Sequence, residues 1–151
     1  MRPTEQKVLV RNRKARHEYL VLETLEAGIE LRGSEVKSLR AAGASMSDAY
    51  AQVRDGQMYL MQMQINEYRE ANRWNHEPKR ERRLLLHKEE IEKLGRAIRE
   101  KGYTLIPLEF YLKKGRIKVL LGLCKGKRLY DRRQSAKERD AQREIDRELR
   151  R

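Results

Sequence analysis

The chain has 151 residues, and its 36 lysines and arginines against 23 acidic residues give a formal net charge of +13, which favours polyanionic partners. The 38% hydrophobic content is enough for one small domain, but no apolar run approaches the roughly 18 residues that a membrane span needs. Because the N-terminus lacks the apolar segment of a secretory signal and Cys124 has no second cysteine to pair with, we expect a cytoplasmic protein without a membrane partner.

The first third of the chain predicts a basic arm followed by strands. Residues 1–17 are polar and basic without a steady apolar period, and we assign residues 1–10 to a flexible arm. Apolar residues then recur at short intervals from Tyr19 to Leu31, with Ala27-Gly28 as a bend. This pattern predicts two strands.

A short helix and a tight hairpin are predicted next. Ser34 can cap the helix, and Gly43 lies where its last turn could end. Asp55-Gly56 separates two apolar stretches, 50–53 and 58–65, and this dipeptide accepts the positive φ angles of a hairpin turn. Residues 66–83 are densely charged and predict a long loop suited to phosphate contact.

The second half of the chain predicts one amphipathic helix and a second hairpin. Apolar residues at helical spacing between residues 88 and 101 precede Gly102, which can end the helix. Residues 106–112 and 117–123 alternate between apolar and other residues on either side of a Lys-Lys-Gly turn. On the second of these strands Arg116 and Lys118 have the parity opposite to the core, so we expect them to face solvent.

These elements predict a mainly β fold with helices, in the form of a small β-barrel of the oligonucleotide-binding type. Strand number alone leaves closure of the barrel open. We expect the barrel to comprise residues 11–125. Residues 126–151 carry few apolar residues and predict a basic tail that is disordered alone, although arginines at every fourth position from Arg139 to Arg151 would allow a helix on a target.

Residues 12–19 (NRKARHEY) are the first candidates for RNA contact. Guanidinium groups bind phosphates, and aromatic rings stack on unpaired bases. From composition alone, a solvated basic arm with Tyr19 opening a core strand is an equal alternative. The three methionines Met58, Met61 and Met63 predict barrel core, and Trp74 stays undecided between base stacking and packing.

Enzymatic chemistry is not expected from the histidines. His76 with Glu77, or His87 with Glu90, lacks the spacing of a helical zinc site, and the chain offers no clustered thiolates. We expect no metal, no cofactor and no catalytic residue.

Four segments of the chain together resemble the SmpB family, the bacterial partners of transfer-messenger RNA. They are residues 12–19; residues 26–29 (EAGI) with 33–40 (GSEVKSLR); residues 78–88 (PKRERRLLLHK); and residues 125–128 (KGKR) with 130–133 (YDRR). Each segment alone is a weak signal, but their common order along the chain is specific.

The resemblance implies an oligonucleotide-binding barrel that binds the tRNA-like domain of transfer-messenger RNA. Protein and RNA together would enter stalled ribosomes for trans-translation, and the protein would stand in for the missing anticodon arm. The tail would engage the decoding centre and the mRNA channel of the small subunit. We expect a monomer, with one copy per RNA. The alternative is a ribosomal or ribosome-assembly protein with the same barrel.

The resemblance and the charge pattern together define the candidate site residues. Those expected on the RNA-binding surface are Asn12, Arg13, Lys14, Arg16, His17, Tyr19, Glu26 and Lys118. Those expected in the ribosome-binding tail are Gly126, Lys127, Arg128, Asp131, Arg132, Arg133, Arg139, Arg143 and Arg147.

Overall fold

The computed structural model describes residues 6–69 and 75–126, together with residues 139, 142, 143, 145, 147 and 149. The elements in chain order are β1 (Gln6–Arg11), α1 (Arg13–Glu18), β2 (Tyr19–Ile29), α2 (Gly33–Arg40), β3 (Ala44–Ser45), β4 (Tyr50–Arg54), β5 (Gln57–Met61), β6 (Gln64–Ile65), β7 (Arg82–Leu85), α3 (Lys88–Lys101), β8 (Thr104–Lys113) and β9 (Arg116–Gly126). No helix within these residues is long and apolar enough to cross a membrane.

An antiparallel sheet closes on itself to form a barrel. Its strand order is β1-β8-β4-β5-β7-β2-β9, and an additional pairing of β8 with β9 closes the ring. Strand β8 pairs with β9 along its length, whereas its other edge pairs with β4 at Leu105 and with β1 from Glu109 onward. Strand β1 therefore extends the edge of β8 outside the ring. The predicted class, mainly β with helices, is confirmed, and the pairing of β8 with β9 supplies the closure that the sequence left open.

The barrel encloses the main hydrophobic core. Phe110, Val119 and Leu121 from the second hairpin are fully buried there, because the inward residues of β8 and β9 alternate with outward ones. Met58 and Met63 are also fully buried, as predicted, whereas Met61 is half-buried.

A second, smaller core lies outside the barrel wall, beneath α1. Ala15 of α1 packs there with Ile106, Leu108 and Cys124. At Gly122 a Cβ atom would lie 2.8 Å from Leu108 Cδ1, so glycine is needed for Leu108 to lie flat on β9. This second core fixes α1 to one side of the barrel.

The predicted α3 and the predicted turns of both hairpins are confirmed. Helix α3 spans Lys88–Lys101, and Gly102 ends it in the left-handed region at φ 68°. Asp55 and Gly56 have φ values of 52° and 75° between β4 and β5, as the predicted tight hairpin requires. The second hairpin turns at Lys114-Gly115, also with positive φ values.

The N-terminal elements differ from the prediction. Residues 6–10 belong to strand β1 instead of a flexible arm, because the free edge of β8 supplies their hydrogen-bond partners. Residues 13–18 are helical. Residues 19–29 form one strand instead of two, because Ala27 and Gly28 continue to pair with Val119 and Lys118 and the irregularity falls at Val21/Glu23.

The predictions for α2 and its surroundings also need correction. Arg32 is the N-cap, and Ser34 lies buried inside the helix. The helix was predicted to end at Gly43, but the residue with a left-handed φ after α2 is Ala42, at 59°. Strand β5 stops at Met61 because Gln62 also has a positive φ, and the predicted loop ends earlier than residue 83 because β7 begins at Arg82.

Candidate nucleic-acid interface

Helix α1 is positioned by Asn12. The Asn12 Oδ1 atom accepts a hydrogen bond from the backbone N–H of Ala15 at 3.1 Å, which caps the helix. Its Nδ2 atom donates to the carbonyls of Pro107 at 2.9 Å and Met46 at 3.2 Å. Asn12 is 5% exposed, so its side chain lies beneath the surface on which it was predicted. The residue ties α1 to β8 and to the segment before β4.

The basic residues of α1 point into solvent. Ala15 faces the barrel wall, while Arg13, Lys14, Arg16 and His17 are exposed, as the candidate site requires. Lys14 Nζ lies 3.7 Å from the Asp48 carboxylate, and both side chains are largely exposed. Such a long and exposed ion pair contributes little to stability. The helix therefore presents a cationic face.

Tyr19 joins α1 to the start of the tail. It is half-buried against the second core, so part of its ring packs and part is accessible. In the register of β2 and β9, Tyr19 pairs with Gly126. Gly126 is the last residue of β9, so this strand ends beside the residue that follows α1.

The predicted tail lies mostly outside the described residues. Lys127, Arg128, Asp131, Arg132 and Arg133 are not among them, and Trp74 of the charged loop is not either. Arg139, Arg143 and Arg147 are described, and each is helical and exposed. Residues at a four-residue spacing share a face of an α-helix, so this spacing favours a common arginine row.

Glu26 and Lys118 lie on the outer face of the barrel, on adjacent strands β2 and β9. Tyr111 of β8 reaches across β9 and donates its O–H to Glu26 Oε2 at 2.5 Å. Lys113 Nζ lies 3.2 Å from the same oxygen. The Tyr111 hydrogen bond is the main reason that the pKa of Glu26 lies below its ordinary value, and the charges of Lys113 and Lys118 act in the same direction. Glu26 is therefore an ionised carboxylate within a cationic surface.

A pocket of about 370 Å³ opens beside Glu26. Its lining includes Gly28, Arg83, Leu85 and Lys118. Leu85 is 44% exposed, which is high for a leucine in a strand. A Cβ atom at position 28 would lie 3.1 Å from Leu85 Cβ, so Gly28 leaves room for this side chain.

Phosphate contact would require the cations of the charged loop to face solvent, but not all of them do. Arg82 is fully buried and bonds Glu35, which is also fully buried. Arg80 Nη2 lies 2.5 Å from the other oxygen of Glu35. These two arginines therefore hold α2 against β7, and the predicted phosphate contact is wrong for them. Lys79 and Arg83 are exposed.

Sequence reasoning missed Glu35, Tyr111 and Lys113. Tyr111 and Lys113 share the outward parity of Lys118, so the alternation along the second hairpin could have indicated that they lie on the same outer face. Glu35 had no such signal, because a glutamate in the first turn of a helix is ordinarily exposed.

The histidines have structural positions. The ring of His76 is buried, and its nitrogens lie 2.8 Å from Ser34 Oγ and 2.8 Å from the Ile65 carbonyl. His87 is the exposed N-cap of α3. Across the described ranges, no group of three or more His, Cys, Asp or Glu residues is arranged to hold a metal.

A small antiparallel barrel with a cationic helix, a cationic hairpin and a basic C-terminal segment defines a class of basic β-barrel proteins suited to polyanions. The sequence profile of the SmpB protein family matches residues 9–151. The chain belongs to this family.

Individual relatives agree with this assignment. An SsrA-binding protein of Staphylococcus epidermidis is 57% identical over 92% of this chain and 89% of the relative. An SsrA-binding protein of Pelotomaculum thermopropionicum is 56% identical over 95% and 94% of the two chains. A solved chain described as "tmRNA-SmpB: a journey to the center of the bacterial ribosome" superimposes with a TM-score of 0.68 and 45% identity, over 80% of this chain and 85% of that chain.

Proposed function

We propose that this protein binds the tRNA-like domain of transfer-messenger RNA and delivers it to stalled ribosomes for trans-translation. Relatives that are named SsrA-binding proteins, and a structural neighbour described as tmRNA-SmpB in the bacterial ribosome, support the RNA and the ribosome as partners. Within this function the protein stands in for the anticodon arm that the RNA lacks.

The observation that carries the proposal is the pairing of Tyr19 with Gly126. It supports the proposal because α1, with its exposed cations, and Gly126, the last residue of β9, lie at the same end of the β2–β9 pair. A protein that must hold one RNA and enter a second RNA assembly needs two cationic surfaces, and we assign these to the barrel and to the tail.

The RNA-binding surface in this proposal has two parts. Arg13, Lys14, Arg16 and His17 contact phosphates from α1, and the accessible part of Tyr19 contacts a base. Glu26 and Lys118 contribute from the outer barrel face. Asn12 acts by holding α1 in place.

The tail is proposed to act on the ribosome. Residues 126–151 carry the basic residues predicted for the decoding centre and the mRNA channel, and Arg139, Arg143 and Arg147 are each helical and exposed. A row of guanidinium groups suits the phosphates of ribosomal RNA. We assign residues 11–125 to RNA binding and residues 126–151 to ribosome engagement.

The activity is binding without chemical conversion. The candidate surface consists of cations, one tyrosine and one ionised carboxylate held by Tyr111 and Lys113. Such groups position an RNA through its phosphates and base edges. We place the protein in the cytoplasm, with one copy per RNA.

The test is recovery of RNA from a bacterial lysate with the tagged full-length protein. Transfer-messenger RNA should be enriched far above ribosomal RNA. Equal recovery of the two RNAs would favour the alternative, a ribosomal or ribosome-assembly protein with the same barrel. Divalent-metal-dependent RNA cleavage by the purified protein would overturn the non-enzymatic part of the proposal.

A further inference from the structure

A groove runs between α3 and β4. Two adjoining cavities of about 310 and 370 Å³ form it, and both are lined by Val53, Gly95 and Arg99. Strands β4 and β8 pair at Ala51 and Leu105, and the groove lies where α3 crosses this short junction. None of the described residues in its lining belongs to the RNA-binding surface proposed above. The groove is therefore a separate surface feature.

Gly95 keeps the groove open. It lies within α3, where glycine is less favourable to a helix than alanine. A Cβ atom at this position would lie 3.6 Å from Val53 Cγ2, which is an ordinary contact distance. A small side chain would therefore fit, and a larger one would extend into the groove.

The groove is apolar at its floor and cationic at its rim. Ile98 and Leu105 supply apolar surface, and the exposed Arg96 and Arg99 flank it. Glu92 is the one acid among the described lining residues. Across the described ranges, neither arginine forms an ion pair. The groove therefore fits an occupant that combines aliphatic side chains with carboxylates.

The C-terminal tail carries the complementary pattern. Ile145 and Leu149 are helical and are 50% and 78% exposed. In a continuous α-helix these two positions share one face, with the position of Glu148 beside them and those of Arg143 and Arg147 on the opposite face. One face of such a helix matches the groove, and the other matches polyanions.

The tail also begins beside the groove. Thr104, which lines the groove, pairs with Cys124, and β9 ends shortly afterwards at Gly126. The segment from Gly126 to Ile145 spans roughly 28 Å as a helix and roughly 60 Å when extended, whereas α3 is roughly 21 Å long. The tail can therefore turn back and run antiparallel to α3 along the whole groove.

We propose that in the free protein the C-terminal tail docks in this groove, with Ile145 and Leu149 against its apolar floor and the arginine face of the tail directed outward. Glutamates beside the aliphatic pair lie near Arg96 and Arg99. An isolated helix of this length is only marginally stable in water, so packing against the groove stabilises it. The groove thus stores the tail as a helix before any RNA is bound, and the inference does not depend on which RNA that is.

Cysteine crosslinking in the full-length protein tests the contact. The native Cys124 is fully buried and does not compete. Gln52→Cys places a thiol on the exposed lining of the groove, and it is combined with Glu148→Cys or, as the matched control, with Arg147→Cys. Because a disulfide needs Cβ atoms about 4 Å apart, the pair with Glu148→Cys should form it about tenfold faster under mild oxidation. Equal rates for the two pairs would overturn the inference.

Filling the groove provides the second test. Gly95→Leu and Gly95→Ala are each added to the Gln52→Cys, Glu148→Cys protein. Leucine should slow crosslinking about tenfold, to the rate of the control pair, whereas alanine should leave the rate nearly unchanged. Both residues favour a helix more than glycine does, and thermal unfolding checks that the fold is kept. Unchanged crosslinking in a folded Gly95→Leu protein would contradict docking.

A change in the tail keeps the test independent of the barrel fold. If Gly95→Leu does not fold, Ile145→Ser combined with Leu149→Ser removes the aliphatic pair and leaves every strand of the barrel intact. This protein should also crosslink at the rate of the control pair. Crosslinking at the original rate would show that the aliphatic pair does not hold the tail.

The charge contact has its own comparison. Arg99→Gln should slow crosslinking about threefold, the order expected for one exposed ion pair. Lys93→Gln is the matched control, because Lys93 lies on the same helix, pairs with Glu23 and is not part of the groove lining. Equal rates for these two variants would remove Arg99 from the docked state.

The mass of the crosslinked product identifies the occupant. A monomeric product whose rate of formation is independent of protein concentration supports docking of the tail within its own chain. A product of twice the mass, formed faster at higher concentration, would show that the tail of a second copy occupies the groove and would overturn the inference.

Discussion

Glu35 and Arg82 form a fully buried ion pair in which Arg82 Nε donates to Glu35 Oε2 at 2.5 Å. The remaining N–H groups of Arg82 donate to the carbonyls of Met63, Arg80 and Pro78. The pair connects α2 to β7 and satisfies backbone carbonyls of the segment between them. Removing Arg82 leaves the buried Glu35 carboxylate with Arg80 as its remaining arginine partner and takes the donors away from three backbone carbonyls, which is costly in the protein interior.

Arg82→Met should therefore lower the free energy of unfolding by about 3–5 kcal/mol. Arg83→Met is the matched control. Its ion pair with Glu30 is long, at 3.4 Å, and about half exposed, so its loss should cost about 0–1 kcal/mol. Urea unfolding of both variants measures the difference. Equal losses would show that the buried pair does not stabilise the fold.

The same pair predicts a pH dependence of stability. Burial raises the pKa of Glu35, but hydrogen bonds from Arg80 and the Arg32 backbone N–H, with the charge of Arg82, outweigh it and hold the pKa below its ordinary value. A lowered pKa in the folded state means that the stabilisation is present above the ordinary glutamate pKa of about 4 and is lost as the pH falls through the lowered value.

Glu35→Gln should therefore have a clearly lower free energy of unfolding than wild type at neutral pH. The difference in free energy of unfolding between the two proteins should narrow as the pH falls below 4. Urea unfolding across this pH range provides the measurement. The exposed Glu30→Gln variant is the control and should be close to wild type in stability at neutral pH, because its ion pair with Arg83 is long and exposed. If the difference in free energy of unfolding between Glu35→Gln and wild type stays constant with pH, Glu35 is not ionised in the folded protein.

Asn12→Ala should reduce both stability and RNA binding. The cap of α1 is worth about 0.5–2 kcal/mol, and the carbonyls of Met46 and Pro107 lose a donor as well. Lys14→Ala should weaken RNA binding with little change in stability, because its side chain is exposed. Thermal unfolding and RNA titration distinguish the two. Weaker binding by Asn12→Ala without loss of stability would point to direct RNA contact.

Arg13→Ala should change the salt dependence of RNA binding. Each phosphate contact that is lost lowers the slope of log affinity against log salt concentration by about 1. Arg54→Ala is the control, because Arg54 lies on β4 and pairs with Glu81. Titrations at several salt concentrations give the slopes. Equal slopes for Arg13→Ala and wild type would remove Arg13 from the interface.

Deletion of residues 127–151 should leave RNA binding largely intact and abolish tagging on stalled ribosomes. The truncation stops just after Gly126, so every strand of the barrel is retained. Replacing Arg139, Arg143 and Arg147 with glutamine in the full-length chain is the matched test of the arginine row, and it should also reduce tagging. Normal tagging by the truncated protein would contradict a ribosomal role for the tail.

Some elements could be predicted from the sequence because the patterns that indicate them lie within a few neighbouring residues. Helix α3 follows from apolar residues at helical spacing and from Gly102, and the β4–β5 hairpin follows from Asp55-Gly56. The exposed cations of α1 and the outward Lys118 also follow from charge and parity. Strand β1 could not be predicted in this way, because a six-residue segment with three apolar residues becomes a strand only when the edge of β8 is available to it.

The sequence by itself determined the net charge, the mainly β class, the positions of the tight turns and the family resemblance, because composition, periodicity and turn chemistry depend on near neighbours. Only the tertiary structure determined that Asn12 is buried beneath α1, that Arg82 bonds Glu35, and that Tyr111 reaches Glu26. The last two contacts join residues 47 and 85 positions apart. Such contacts depend on strand order and barrel closure, which bring distant side chains together whatever their local sequence.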